Sequence, residues 1–307
     1  MNGTAPSEHD ILPYHASPLP QASAVVVFAP HPDDEVFGCG GALALHARAG
    51  VSVHVVLLTE GEAGWHGAQP TSGAGNGRLA ESALAAQLLG IEAPQCWHLP
   101  DRGVVYGEEL VERMMHEVRR QHADLVYAPS LWEAHPDHRA AAMAAAEAVR
   151  RVGGACRVCW MEISSALRPN LLLDVTPVWD AKLSAMQTFR SQNEHLPYPD
   201  YVAALNRFRS LTLNRDVKYA EAFELHDASD LAAGAYRLRE SEASRLIARG
   251  HESDAAQLPL VSVIVRSIGR PTLARALASL QAQTYANWEL VLVNASGPPL
   301  EVGAWPA

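Results

Sequence analysis

Short apolar runs alternate with longer helix-forming stretches along most of the chain. Ala24–Ala29 is an apolar run that stops at Pro30, and Glu35–Ala49 has helix-forming composition that closes at Gly50, a residue suited to the position just past a helix end. Val51–Thr59 is again β-branched. Arg78–Leu89 reads as a helix closing at Gly90, and Cys96–Leu99, Glu108–His122, Asp124–Ala128, Pro136–Arg151 and Arg157–Ile163 continue the rhythm. Strands alternating with helices of about 10–15 residues imply βαβ units, so the expected class is α/β, a mostly parallel sheet flanked by helices. From Pro177 to about Arg249 the pattern changes to helical segments broken by Pro197 and Pro199.

Near residues 240–257 the chain turns polar and charged without a strand, as a linker would. A second unit follows. Leu260–Arg266 reads as a buried-type strand, Pro271 suits the first position of a helix over Leu273–Gln283, and Trp288–Asn294 is another strand. The expected division is an N-terminal extension over 1–22, a main domain over 23–239, a linker over 240–257 and a short βαβ appendage over 258–307.

Composition narrows the classes. With 307 residues, 48% hydrophobic and 19% charged, the chain has globular usage and ample material for a core. Its 24 Lys+Arg against 34 Asp+Glu give a formal charge of −10, and no basic stripe overrides that field, so a nucleic-acid partner is not expected. Met1–Gln21 lacks the basic start and apolar core of a secretory signal, and no run approaches the ~20 apolar residues of a membrane span. A cytoplasmic location is expected. The four cysteines include a Cys156-x-x-Cys159 in an apolar run with no second pair to complete a zinc site, which reads as two small buried residues.

Chemistry concentrates where two strands end. The first strand runs into Pro30-His31-Pro32-Asp33-Asp34-Glu35, and the strand at Asp124–Ala128 runs toward His135-Pro136-Asp137-His138. Ligands of open parallel α/β sheets bind outside the carboxyl ends of strands, so both segments point into one crevice. His31, Asp34 and His138 would supply two imidazoles and a carboxylate, a set that suits Zn²⁺ and leaves a fourth position for water. Asp33 is placed to act as general base, and Asp137 to orient an imidazole. His135 would steady an oxyanion or hand a proton to a leaving amine. The same residues have a plainer use, with the aspartates as helix caps, each proline at the start of a helix and the histidines as loop residues. Against that stands the crowding of acidic side chains after one strand, which repel each other unless a cation is present.

These motifs resemble the PIG-L/LmbE-like family of metal-dependent de-N-acetylases, whose signature is a strand followed by (A/P)-H-P-D-D-E and a later H-P-D-H. Both stand intact, at Ala29–Glu35 and His135–His138. Thr59-Glu60-Gly61-Glu62-Ala63-Gly64, Arg78-x-x-Glu81, Asp101, Lys182 and Ser191-Gln192 also match, and the likeness covers roughly residues 20–230. The resemblance implies a Rossmann-like sheet and Zn²⁺ at His31, Asp34 and His138, and a His₂Asp set accepts Fe²⁺ as well. It implies Asp33 as base, His135 with Asp137 as the acid or oxyanion pair, and Arg78 and Asp101 as sugar contacts. For Arg78 the alternative is a helix-surface pair with Glu81, and for Asp101 a turn residue. Glu60 stands where relatives often have Asp or Asn, so substrate contact there is expected to differ. The glycine-rich stretch Gly61–Gly77, with Trp65 and His66, reads as a lid or as a surface loop.

Residues 258–297 are similar to the opening of a family 2, GT-A type glycosyltransferase, with Asn294 where an Asp is usual and no Asp-x-Asp in the stretch. A lone βαβ unit is too small to bury its own faces, so sugar transfer by this unit is not expected. The expected activity is zinc-dependent removal of an N-acetyl group from an N-acetylglucosamine-type sugar or conjugate. Alternatives are an amidase of a thiol–sugar or other amide conjugate, and a non-catalytic carbohydrate-binding module serving a fused or partner glycosyltransferase.

Overall fold

Six consecutive buried residues, Ala24–Ala29, form β1. Such a run, apolar on every position, suits a strand paired on both sides and covered on both faces. In the computed structural model, which describes residues 15–63, 74–232, 261–267, 273–281 and 288–295, β1 lies inside a seven-stranded sheet. After it come α1 (Asp34–Arg48), β2 (Ser52–Thr59), α2 (Ala74–Leu89), β3 (Gln95–Leu99), α3 (Glu108–Arg120), β4 (Leu125–Pro129), α4 (Pro136–Val152) and β5 (Arg157–Met161). Then follow β6 (Leu171–Asp174), α5 (Trp179–Met186), α6 (Arg190–Asn193), α7 (Tyr198–Arg209), β7 (Ala220–Asp227) and α8 (Ala228–Ala232). The strand order is β3-β2-β1-β4-β5-β7-β6; β1 to β5 run parallel, and β7 is antiparallel to both β5 and β6.

Alternate residues of β1 feed two cores. Val25, Val27 and Ala29 pack with Leu43 and Ala42 of α1 and Met186 of α5, whereas Val26 and Phe28 pack with Met114 and Val118 of α3 and the alanines of α4. The expected α/β class with a mostly parallel, helix-flanked sheet is therefore the fold. Two strands, however, lie where helices or no regular structure are read from sequence. In β7 the letters Glu221 and Glu224 hide a strand because both side chains are buried, each 1% exposed.

Glu221 also explains a break in α1. Cys39 leaves helical geometry (φ −142°, ψ 16°), so the N–H groups of Gly41 and Ala42 begin a new helical stretch. They donate to the two carboxylate oxygens of Glu221 at 2.7 and 2.8 Å. On the other side of the break, Lys182 Nζ donates to the Phe37 carbonyl at 3.1 Å, to Asn206 Oδ1 at 2.9 Å and to Glu221 at 2.7 Å. A buried ion pair thus splices the two halves of the helix. A Cβ on Gly41 would sit 2.5 and 2.7 Å from Val175 Cγ1 and Cβ and 2.8 Å from the Glu221 carboxylate, so a side chain there would force its neighbours to move.

The chain divides into two units, Met1–Ala243 and Ser244–Ala307. In the second, β8 (Val261–Ser267) and β9 (Trp288–Asn294) pair in parallel, with α9 (Leu273–Gln281) between them in sequence. Leu273 and Leu277 are buried, but Ile264 in the middle of β8 is 70% exposed. The strand expected to be buried at Leu260–Arg266 is therefore partly exposed, since two strands and one helix, the described elements of this unit, are too few to cover both faces of a sheet. Among the described residues, no helix is long and apolar enough to cross a membrane.

Candidate active site

The strand order reverses beside β1, so the carboxyl ends of β1 and β4 lie side by side, where open α/β sheets form their ligand crevice. Pro30, at the end of β1, is held by Thr59 of β2, whose N–H and hydroxyl donate to its carbonyl at 3.0 and 2.9 Å. The chain then turns through Asp33 at φ 124°, a backbone conformation that costs a residue with a side chain roughly 1–3 kcal/mol. Several bonds hold the turn. The Asp33 N–H donates to Glu35 Oε2 at 3.0 Å, and Arg78 Nη2 donates to the Asp33 carboxylate at 2.9 Å and to the Pro32 carbonyl at 2.8 Å.

Beyond the turn three donor atoms converge. His31 Nδ1 lies 3.2 Å from Asp34 Oδ2, His138 Nε2 lies 3.3 Å from the same oxygen, and the two ring nitrogens are 3.3 Å apart. Ligands at ~2.0–2.1 Å from a tetrahedral Zn²⁺ stand roughly 3.3–3.4 Å from one another, so this triangle has the size of one face of such a site. The residues present fit the metal that the motifs imply.

Electrostatics agree with a cation-binding cluster. Burial alone would raise the Asp34 carboxyl, yet His138 and His31 hold it well below the usual range. Burial works against a proton on His138, but Asp34 brings it up to about 9; Asp101, Asp137 and Asp34 likewise hold His31 well above the ordinary imidazole value despite its burial. The carboxylates that favour positive charge on both rings would favour a divalent ion at the same place. Behind the triangle, His31 Nε2 faces Asp101 at 3.2 Å and Asp137 at 3.4 Å, while His138 Nδ1 faces Glu133 at 3.4 Å. Such carboxylates behind a ring nitrogen are the usual outer partners of metal-binding histidines.

The second strand end places His135 and Asp137 differently from the simplest expectation. His135 caps α4, its Nδ1 accepting the Asp137 N–H at 3.2 Å, which leaves the proton of a neutral ring on Nε2. Burial and the nearby His31 and His138 lower its pKa, so it is neutral near pH 7. Asp137 does not lie against its neighbour His138. Its oxygens accept the N–H groups of Arg102 (2.7 Å) and Val104 (3.2 Å), and the ring it approaches is that of His31.

Arg78 and Asp101 both line the cleft. Arg78 does not pair with Glu81; its guanidinium also donates to the Gly61 carbonyl, while Glu81 accepts from the N–H and hydroxyl of Ser191. Asp101 accepts the Ala63 N–H at 2.9 Å, and burial notwithstanding, its bond to His31 brings it down to about 2. Glu60 pairs with His98 at 2.6 Å. Trp65, His66 and most of the Gly61–Gly77 stretch lie outside the described residues.

The cleft has a volume of about 680 Å³ and a mixed lining. His31, Asp33, Asp34, His135 and His138 are among its polar residues, and Phe37, Ile163, Leu196, Tyr198, Val202 and Leu205 among its larger apolar and aromatic ones. Tyr198, Val202 and Leu205 recur at helical spacing on α7, a signal present in the sequence but lost among the prolines. Glu133 was also not singled out by sequence, since its partners are about thirty residues away.

Fold and site together define an α/β protein with a candidate three-ligand metal centre at the switch point of its sheet. Residues 26–149 match the family described as PIG-L: GlcNAc-PI de-N-acetylase. The chain is 30% identical over 232 residues to the 4-oxalmesaconate hydratase of Pseudomonas putida, covering 67% of this chain and 89% of that protein. It is 28% identical over 197 residues to the diacetylchitobiose deacetylase of Thermococcus kodakarensis, covering 57% and 72%. The solved N,N'-diacetylchitobiose deacetylase of Pyrococcus horikoshii shares the fold, with a TM-score of 0.61 and 24% identity over 68% of this chain and 85% of that one. The chain belongs to the PIG-L family, and that membership supports a hydrolytic de-N-acetylase activity.

Proposed function

We propose that the protein removes the N-acetyl group from an N-acetylglucosamine-type sugar or its conjugate. The observation that carries this reading is the triangle of His31, Asp34 and His138 donors with Asp33 and His135 on the same cleft. Zn²⁺, or Fe²⁺, held by those three side chains would polarise the amide carbonyl and acidify water. Asp33 takes a proton from the attacking water and passes it to the departing nitrogen. Burial pushes its carboxyl up to about 7, against the pull of Arg78, which suits a base working near neutral pH. His135, neutral and carrying its proton on Nε2, donates to the oxygen that gains charge as the new C–O bond forms. The C–N bond then breaks, giving acetate and a free amine. Asp137 holds the Arg102–Val104 backbone beside these groups, and Arg78 and Asp101 are assigned to the sugar side of the cleft.

The deacetylase relative's name states that it acts on diacetylchitobiose, which supports an amino-sugar substrate. A second reading is favoured by the hydratase relative, whose named reaction adds water rather than cleaving an amide. The test is to incubate the zinc-loaded protein with free, diphosphate-linked and lipid-linked N-acetylglucosamine and measure acetate. Acetate matched by free amine is expected; none from any substrate would sink the proposal.

We further propose a division into a catalytic domain over 23–239 and an appendage over 258–307, the latter a GT-A-like βαβ opening that does not itself transfer sugar. Limited proteolysis cutting between 240 and 257 is expected. The cytoplasmic location belongs to the same proposal.

A further inference from the structure

Glu133 stands two residues before His135 and has no part in the chemistry above, yet its side chain is wholly buried. Its carboxylate accepts three consecutive backbone N–H groups, from Ile163 at 2.9 Å, Ser164 at 3.1 Å and Ser165 at 3.2 Å, and also the Ser164 hydroxyl. Three successive N–H groups turned toward one anion make a backbone nest, usually an external anion's site. Here a side chain of the same protein fills it. Ile163, Ser164 and Ser165 line the cleft just past β5. The same carboxylate stands 3.4 Å from His138 Nδ1, a buried nitrogen that makes no hydrogen bond among the described residues.

We infer that Glu133 is a positioning residue that ties a metal-binding histidine to the cleft wall. It holds His138 with the proton on Nδ1 and Nε2 toward Asp34, and it holds the 163–165 backbone in the shape that faces the substrate. Neither task needs Glu133 to touch substrate. A side chain serving only the fold would need the nest alone, but the His138 contact places one carboxylate on both structures. Anything that shifts the 163–165 wall is thereby felt at His138. The inference rests on the metal reading of the His31, Asp34 and His138 triangle.

Glu133→Gln keeps the shape but replaces one oxygen with an N–H₂ group, which must then face a donor, either a nest N–H or His138 Nδ1–H. Zn²⁺ affinity, measured by competition with a chromogenic chelator, is expected to fall about 10–100-fold. Amide hydrogen exchange at 163–165 is expected to speed up in the same variant. Faster exchange with zinc affinity within twofold of the parent would mean a role in the fold alone and would overturn the inference. Glu133→Asp, which keeps the charge but withdraws it by one methylene, is the companion variant and should lose at least tenfold in zinc affinity. Independently of any variant, ¹⁵N spectra of the parent protein loaded with zinc should show His138 protonated on Nδ1. A proton on Nε2 instead would overturn the assignment even if both variants fail to fold. Parent protein that binds no zinc would overturn the metal reading itself, whereas normal binding in Glu133→Gln overturns only the role of Glu133.

Discussion

The two His-Pro-Asp strand ends share three residues and almost nothing else. At the first, Asp33 sits at φ 124° before the helix, with its carboxylate on Arg78 and its backbone strained. At the second, His135 caps the helix in extended geometry, Pro136 takes the first helical position, and Asp137 falls unstrained in the first turn with both oxygens on backbone N–H groups. One tripeptide thus yields an aspartate held in a costly conformation at the cleft and an aspartate used as a bracket. What separates them is where the helix begins. In His31-Pro32-Asp33-Asp34 it begins after Asp33, and in His135-Pro136-Asp137-His138 it begins before Asp137.

The sharpest way to break this comparison is to neutralise each aspartate. Asp33→Asn is expected to lower the turnover number by about 10²–10⁴-fold with zinc content unchanged, measured as acetate release beside metal analysis. Equal turnover would make the two aspartates alike after all.

The helix that follows the first strand end depends on residues farther along the chain than any that hold the second. Glu221→Ala leaves Lys182 buried without its counter-charge and the N–H groups of Gly41 and Ala42 without an acceptor. A loss of about 3–5 kcal/mol in urea unfolding is expected, as for other broken buried pairs. A loss below 1 kcal/mol would show that the break in α1 holds without its splice.

Beneath the two ends, His46 of α1 meets Tyr127 of β4 through its Nε2 at 3.1 Å. Burial, with a smaller push from Arg157, depresses the His46 pKa from 6.5 to about 4. The unfolded chain therefore takes up a proton before the folded one does. This contribution is complete above pH 6.5 and is lost progressively as pH falls toward 4, amounting to about 3 kcal/mol. His46→Gln should flatten that part of the stability-versus-pH curve relative to the parent, and an unchanged difference between pH 7 and 4.5 would refute the assignment.

The smallest effect is at the bracket. Asp137→Asn keeps one acceptor but turns an N–H₂ group toward a backbone donor, and about 1–3 kcal/mol of stability should go, with the melting midpoint as the readout. A variant as stable as the parent would remove Asp137 from the bracket role.

Much of this was legible in the residues themselves. The continuous apolar run of β1 and the two His-Pro-Asp motifs bring the candidate metal donors together on sequence alone, because strand ends in parallel sheets gather on one edge. Asp137 was legible only as a side chain near histidines; which ring it approaches depends on the Arg102–Val104 turn. β7 stayed hidden because its buried glutamates carry polar letters. Glu133 stayed hidden because its nest is built from main chain, which has no letter of its own. The break in α1 left a faint trace, the cluster Gly38, Gly40 and Gly41 inside a helix, where glycine otherwise costs stability.

The splice of α1 has a consequence for how the chain comes into being. Glu221 reaches the Gly41 N–H across 180 positions, and Lys182 reaches the Phe37 carbonyl across 145. During synthesis, both motifs and all three candidate donors are made before either of these residues. A nascent chain ending near residue 149 carries the three candidate donors and the bonds that hold the Asp33 turn, but not the ion pair that splices α1. Closure of the break in α1 is thereby deferred until β7, the last strand of its sheet in chain order, has been made.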